Sequence, residues 1–179
     1  MFEARSYRVN KLSELFLRPI ELEDIEDIKK WRNSKNVLPY VREYRLLSNY
    51  HVKSWYENMI MSDRFEMFIM QDGDEKVGIS GLTYINWQNR HADLHFAIYK
   101  DDSWIDQIYA PEFYEKVVNY AFQELNLNKV YVEIYENDLK KRYFFESKGF
   151  KLDGRLRQHY YHKGEYLDSL IYSLLKEEK

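Results

Sequence analysis

His91, Asp93 and His95 occupy alternate positions in the run His91-Ala92-Asp93-Leu94-His95. Alternate side chains of a strand point to one face, so these three would converge there. Two imidazoles and a carboxylate offer two chemistries. One is divalent-metal ligation, which needs three or four such groups at once. The other is general base catalysis, with Asp93 or His95 taking a proton from a bound nucleophile. A third reading is a polar strand face satisfied by neighbours and water. No further ligand cluster accompanies the three, so no metal is expected and the base reading is carried forward. His51 and Trp55 stand one helical turn apart on one face of a second candidate element. Arg32 and Asn33 close a third. Each pair could border a binding pocket, or could serve only as core, cap and solvated positions.

Composition narrows the class of chemistry. The 179 residues contain no cysteine, which excludes disulfides, thiolate metal sites and a thiol nucleophile. Lys plus Arg number 27 against 30 Asp plus Glu, a formal charge of −3, so there is no polyanion-binding footprint and no nucleic-acid partner is expected. No stretch of about 18 apolar residues occurs, and residues 1–14 lack an apolar leader, so no membrane partner is expected and a cytoplasmic location is. Seventeen tyrosines, ten phenylalanines and four tryptophans are more aromatic surface than one small core hides, which favours a homodimer. Glycine numbers six, and none lies between Leu82 and Lys148.

The elements that must position these residues follow from the hydrophobic period. Leu15 to Ile20 reads as a short strand near a sheet edge because of Pro19. Ile25, Ile28 and Trp31 recur at helical spacing behind Glu21, Glu23 and Asp24, and Ser48 caps a second helix carrying Val52, Trp55, Tyr56 and Met59. Met67–Met70, Val77–Ile85 and Ala92–Tyr99 are strands separated by turns at 71–74 and 87–90, an antiparallel meander. Pro111 marks a helix start, with Phe113, Val117, Val118, Ala121, Phe122 and Leu125 as its apolar face. Val130–Tyr135 is a buried strand, Leu139–Ser147 a helix stopped by Gly149, and 150–162 and 166–175 a terminal hairpin turning at Lys163-Gly164. Tyr160, Tyr161, Tyr166 and Tyr172 read as sheet and core residues, and the charged tail from Lys176 as solvated. Helix between strands in the middle requires one parallel pair in a mixed sheet, an α/β domain over 15–179 behind an N-terminal extension at 1–14.

Four strings in this order, LRPIELEDIEDIKKWRN with its closing Trp31-Arg32-Asn33, VGISGLTYINWQNRHADL, NYAFQELNLNKVYVEIYEND and ESKGFKLDGRLRQHYYHKGEYLDSLIYSLLKEE, resemble the GNAT superfamily of acyl-CoA N-acyltransferases. The likeness is to its branch of ribosomal-protein alanine, spermidine and nucleotide-amino-sugar N-acetyltransferases. It implies a GNAT-like acyltransferase fold, a mixed and mostly antiparallel sheet with helices on both faces. It also implies acetyl-CoA as donor and a primary amine as acceptor, on a small molecule or a protein N-terminus. By that resemblance Ala97, Ile98 and Tyr99 offer backbone to the donor, Asn137 borders it, and Arg32, Asn33, His51 and Trp55 shape the acceptor side. Asp93 or His95 would be the base.

Two positions depart from the family pattern. The family's Arg/Gln-x-x-Gly-x-Gly/Ala loop, which grips the CoA diphosphate, falls on Ile105-Asp106-Gln107-Ile108-Tyr109-Ala110. Asp106 and Ile108 stand where glycine would let backbone approach phosphate, so Ile108 is expected to strain in a left-handed conformation and Asp106 either to repel the donor or to point away from it, while Ala110 is a tolerated substitute. The tyrosine acid of the last helix falls on Phe144 or Phe145, leaving Tyr143 or water as proton source. Acetyl transfer from CoA is one reading; a second is a catalytically silent relative that binds a ligand or a protein, and a third keeps the enzyme with a carrier-bound or aminoacyl donor.

Overall fold

The computed structural model describes residues 14–38, 41, 45–100 and 105–179, so most of the expected extension at 1–14 lies outside the described residues. The chain runs β1 (Leu15–Pro19), α1 (Ile25–Arg32), α2 (Asn49–Ile60), β2 (Glu66–Asp72), β3 (Glu75–Asn86), β4 (His91–Ile98), α3 (Tyr109–Asn119), β5 (Lys129–Tyr135), α4 (Leu139–Ser147), β6 (Lys151–His162) and β7 (Glu165–Leu175). One sheet of order β1-β2-β3-β4-β5-β7-β6 contains them, antiparallel throughout except for the pair β4–β5. The mixed GNAT-like architecture read from the sequence is the observed one.

Alternation along β4 distributes the helices. Tyr99, just past the strand, stacks on Trp31 of α1 at 5.1 Å. Phe96, on the opposite face by its parity, stacks on Phe144 of α4 at 6.0 Å. Tyr114 of α3 meets Phe144 and Phe145 edge-on at 5.8 and 6.5 Å, so α3 and α4 share that second face. A cluster of charges fixes α1 against the sheet. Asp24, only 1% exposed, receives Arg18 of β1 at 2.6 Å and Lys76 of β3 at 2.7 Å. Burial alone would raise the Asp24 pKa, but the hydrogen bonds from Arg18, Lys76 and the Glu21 N–H outweigh it and hold the carboxyl well below the usual range.

Several local expectations are corrected. Helix α3 begins at Tyr109, two residues before Pro111, and its end widens into a π turn at Tyr120–Glu124 before Asn126 adopts φ 51°. Ile108 carries no left-handed strain, since its φ is −97°. Tyr172 is buried, whereas Tyr161 and Tyr166 pair with each other on the surface, ring centroids 5.1 Å apart. The tail is anchored rather than free: Lys176–Glu178 forms a short turn, Glu178 binds Lys151, and Lys179 binds Glu115.

Candidate active site

Strands β4 and β5 are paired only where His91, Ala92 and Asp93 face Lys129, Val130 and Tyr131. Beyond those rungs β4 remains bonded to β3 and β5 to β7, so the two parallel strands part and a cavity of about 550 Å³ opens between them. The direction of the β4 amides follows from its pairing. Tyr99 N donates to Val77 O at 2.8 Å, and Ser80 Oγ donates to His95 O at 3.0 Å, so the odd-numbered residues point their backbone groups toward β3. By alternation the N–H groups of Phe96 and Ile98 point toward the gap. Ile98 was among the three residues expected to offer backbone here. Ala97 and Tyr99 turn theirs to β3, and Phe96 takes their place.

The structure gathers Asp93, His95, Arg32, His51 and Trp55 on the wall of this one cavity, although they come from β4, α1 and α2. Asp93 is 9% exposed. His51 also caps its own helix: Ser48 N donates to its Nδ1 at 3.0 Å, and the His51 N–H returns to Ser48 Oγ at 3.4 Å. That contact fixes the ring at the cavity mouth, so capping and lining are one arrangement. Burial pushes the Tyr99 hydroxyl up to about 12, against the opposing charge of Arg32, so this phenol stays neutral beside the site. Among the described residues no group of three His, Asp or Glu side chains could hold a metal ion.

Other expected residues stand elsewhere. Asn33 grips the backbone of Leu47 with both ends of its amide, Nδ2 donating to the carbonyl and Oδ1 accepting the N–H at 2.8 Å each. It thereby fixes the approach to α2. Asn137 is exposed in the turn before α4, and its neighbour Asp138 is the buried one. Tyr143 is 67% exposed, whereas Phe145, at 2%, lines the cavity. Of the two positions aligned with the family tyrosine, Phe145 is therefore the one that reaches the cavity, and it carries a ring without a hydroxyl.

The far wall escaped the sequence reading. It comprises Glu133 and Tyr135 of β5, Asp138 and Lys141 at the start of α4, and Tyr160 of β6. Glu133 accepts from Ser169 Oγ at 2.7 Å and lies 3.5 Å from His159 Nε2. A lone carboxylate inside Val130-Tyr131-Val132-Glu133-Ile134-Tyr135 was the available signal. Tyr160 gave none, because a bulge places it: the β6–β7 register shifts between Leu156 and Tyr160, with Gln158 at φ 51°, and Tyr160 then meets Tyr135 edge-on at 4.3 Å. Tyr84, also on the wall, sits in a second bulge at φ 52°.

The donor loop has an unforeseen geometry. Oδ1 of Asp106 accepts three backbone N–H groups, from Ile108 at 3.1 Å, Tyr109 at 2.7 Å and Ala110 at 3.0 Å. Gln107 and Ile108 are exposed, and Tyr109 and Ala110 are buried. Tyr109 donates its hydroxyl to Asp72 and receives Lys100 Nζ at 2.9 Å, while Lys100 also pairs with Glu75. A donor of the kind the resemblance implies would meet two different receptions. The parted strands present a free edge to a pantetheine arm, whereas the N–H groups that would receive its diphosphate are engaged.

Comparison with known proteins agrees with this geometry. Residues 17–171 match the family model described as the acetyltransferase (GNAT) domain. The spermidine N(1)-acetyltransferase of Vibrio cholerae is 26% identical over 157 residues, covering 87% of this chain and 90% of that one. A putative ribosomal N-acetyltransferase of Bacillus subtilis is 30% identical over 127 residues, 71% of this chain and 68% of that one. The V. cholerae spermidine N-acetyltransferase solved with CoA and spermine superposes with a TM-score of 0.85 at 24% identity, over 92% of this chain and 96% of that chain. With its sheet, its parted strands and its sequence in agreement, the chain belongs to the GNAT acetyltransferase family.

Proposed function

We propose that the protein moves an acyl group from a pantetheine thioester, acetyl-CoA in the family at large, to a primary amine held between α1, α2 and the β4–β5 gap. The observation that carries this is the gap itself: an unpaired parallel edge opening into a cavity that places Asp93 and His95 opposite Glu133 and Tyr135. The donor supplies an acyl carbon bound to a thiol leaving group. The chain's part is to hold that carbon against an amine and to manage two protons. Asp93 or His95 takes the amine proton, directly or through water, as the new C–N bond forms. The N–H groups of Phe96 and Ile98 face the side where carbonyl charge develops. As the C–S bond breaks, the thiolate takes a proton from water or from Tyr135, since Tyr143 stands outside the cavity.

The cavity wall bears both signs, with Asp93, Glu133 and Asp138 against Arg32, Arg45 and Lys141. Polyamines, amino sugars and protein N-termini are the acceptors of the related branch. A thiol-release assay across such a panel tests the reading, and turnover with at least one primary amine is expected. Saturable ligand binding with no turnover on any amine would replace it with a silent, ligand-binding relative. Self-association is part of the same proposal. The outermost strand β6 and its hairpin leave Leu152, Leu156, Tyr161 and Tyr166 exposed, and a V. cholerae relative has been solved as a dodecamer. Sedimentation showing only a 22.1 kDa species at micromolar concentration would contradict it.

A further inference from the structure

We infer that Asp106 closes the diphosphate cradle from within, so that this chain grips its thioester donor by the pantetheine arm alone. The inference rests on the transferase reading above and changes what the donor must contain.

Backbone N–H groups at the start of a helix form a site for one anion. In α3 that anion is already present and covalently attached. The N–H groups of Ile108, Tyr109 and Ala110 converge on a single oxygen of Asp106 at 2.7–3.1 Å. Each amide has one hydrogen, so a diphosphate gains these donors only by displacing the carboxylate, which then remains as a like charge beside it. The sequence around the loop adds acids rather than cations. The run 101–115 contains Asp101, Asp102, Asp106, Glu112 and Glu115 and neither lysine nor arginine. Lys100, the cation on the Tyr109 hydroxyl, is paired with Glu75 at 2.6 Å. The Tyr109 hydroxyl itself is directed at Asp72. The cradle is thus filled by the chain's own carboxylate, while the β4–β5 gap stays open.

The shared chemistry of the donor is therefore a pantetheine thioester. It can come from an acyl-CoA whose nucleotide end is left in solvent, or from a phosphopantetheine arm on an acyl carrier protein. Titration calorimetry of the full chain with CoA, pantetheine and a holo acyl carrier protein separates these sources. CoA and pantetheine are expected to bind within about threefold of each other. Tighter binding of the carrier assigns the source to a carrier protein, and equal binding of all three assigns it to free thioesters.

Asp106→Gly frees the three amides and should tighten CoA at least tenfold, about 1.4 kcal/mol, with pantetheine unchanged. Because that substitution also removes a helix cap, Asp106→Asn, which keeps the cap oxygen without its charge, is measured beside it with a thermal melt. A smaller gain for CoA alone is expected there. CoA binding thirtyfold or more tighter than pantetheine in the natural chain, or no gain in either variant, overturns the inference and leaves the transferase reading intact. No binding of CoA, pantetheine or carrier overturns both.

Discussion

The gap between β4 and β5 and the first turn of α3 serve one donor across the GNAT family, and in this chain they differ in what they leave open. Along the gap, the N–H groups of Phe96 and Ile98 face an unpaired edge because β5 turns away after Tyr131. At α3, three N–H groups of equal quality converge on Asp106. Both sets are products of regular backbone geometry, and both would exist with almost any side chains. Divergence of β5 leaves the first set facing the gap, and one carboxylate engages the second. A fold can thus retain the architecture of a family site while a single residue engages half of its amides.

The most severe test of the open half is Asp93→Asn. If Asp93 takes the amine proton, kcat falls by about 10²–10⁴ while pantetheine affinity measured by calorimetry is unchanged. Unaltered kcat would shift the base role to His95 or water and weaken the assignment of this wall.

A second test addresses the support of that wall. Asp24 anchors α1, which carries Arg32 into the cavity, and Asp24→Asn should cost about 3 kcal/mol by removing the buried charge that Arg18 and Lys76 share, Lys76 keeping Asp27 and Arg18 keeping Gln71. The folded-state pKa of Asp24 is depressed, so its contribution is complete above its unfolded value of about 4 and is lost as pH falls from there toward the folded value. Melts at pH 7 should separate the variant from the natural chain widely, and melts near pH 3 less so. A constant separation would show that the loss is one of packing.

The smallest effect sharpens the comparison from α4. Tyr143→Phe should change kcat less than twofold, because Tyr143 is 67% exposed on the outer side of the helix that turns Phe145 inward. A hundredfold loss with folding intact would require α4 to rotate when substrate binds.

Much of the molecule was legible before any coordinates. The period-2 runs around Ile79 and Leu94, the period-3.6 run from Phe113 to Leu125, and the turns at Gly73 and Gly164 specify their elements through local sterics and burial. They reproduce the observed order and the single parallel pair. The convergence of Asp93 with His95 was legible for the same reason, since strand parity is a local property.

What sequence could not decide is what depends on distant backbone. Glu133 and Tyr160 face the cavity because β5 parts from β4 and a bulge at Gln158 resets the register of β6. Asn33 holds Leu47 because the chain before α2 returns to it. Asp106 read either as a repulsive charge beside a phosphate or as a side chain pointing away from it, with Ile108 strained. The structure instead shows the carboxylate folded back onto the helix, where its hydrogen bonds relieve the backbone of any need for glycine. Residue types fix the local periods and the chemistry on offer. Which groups meet, and which are already satisfied by one another, is set only when the chain closes on itself, because a hydrogen bond requires two partners and sequence position names only one.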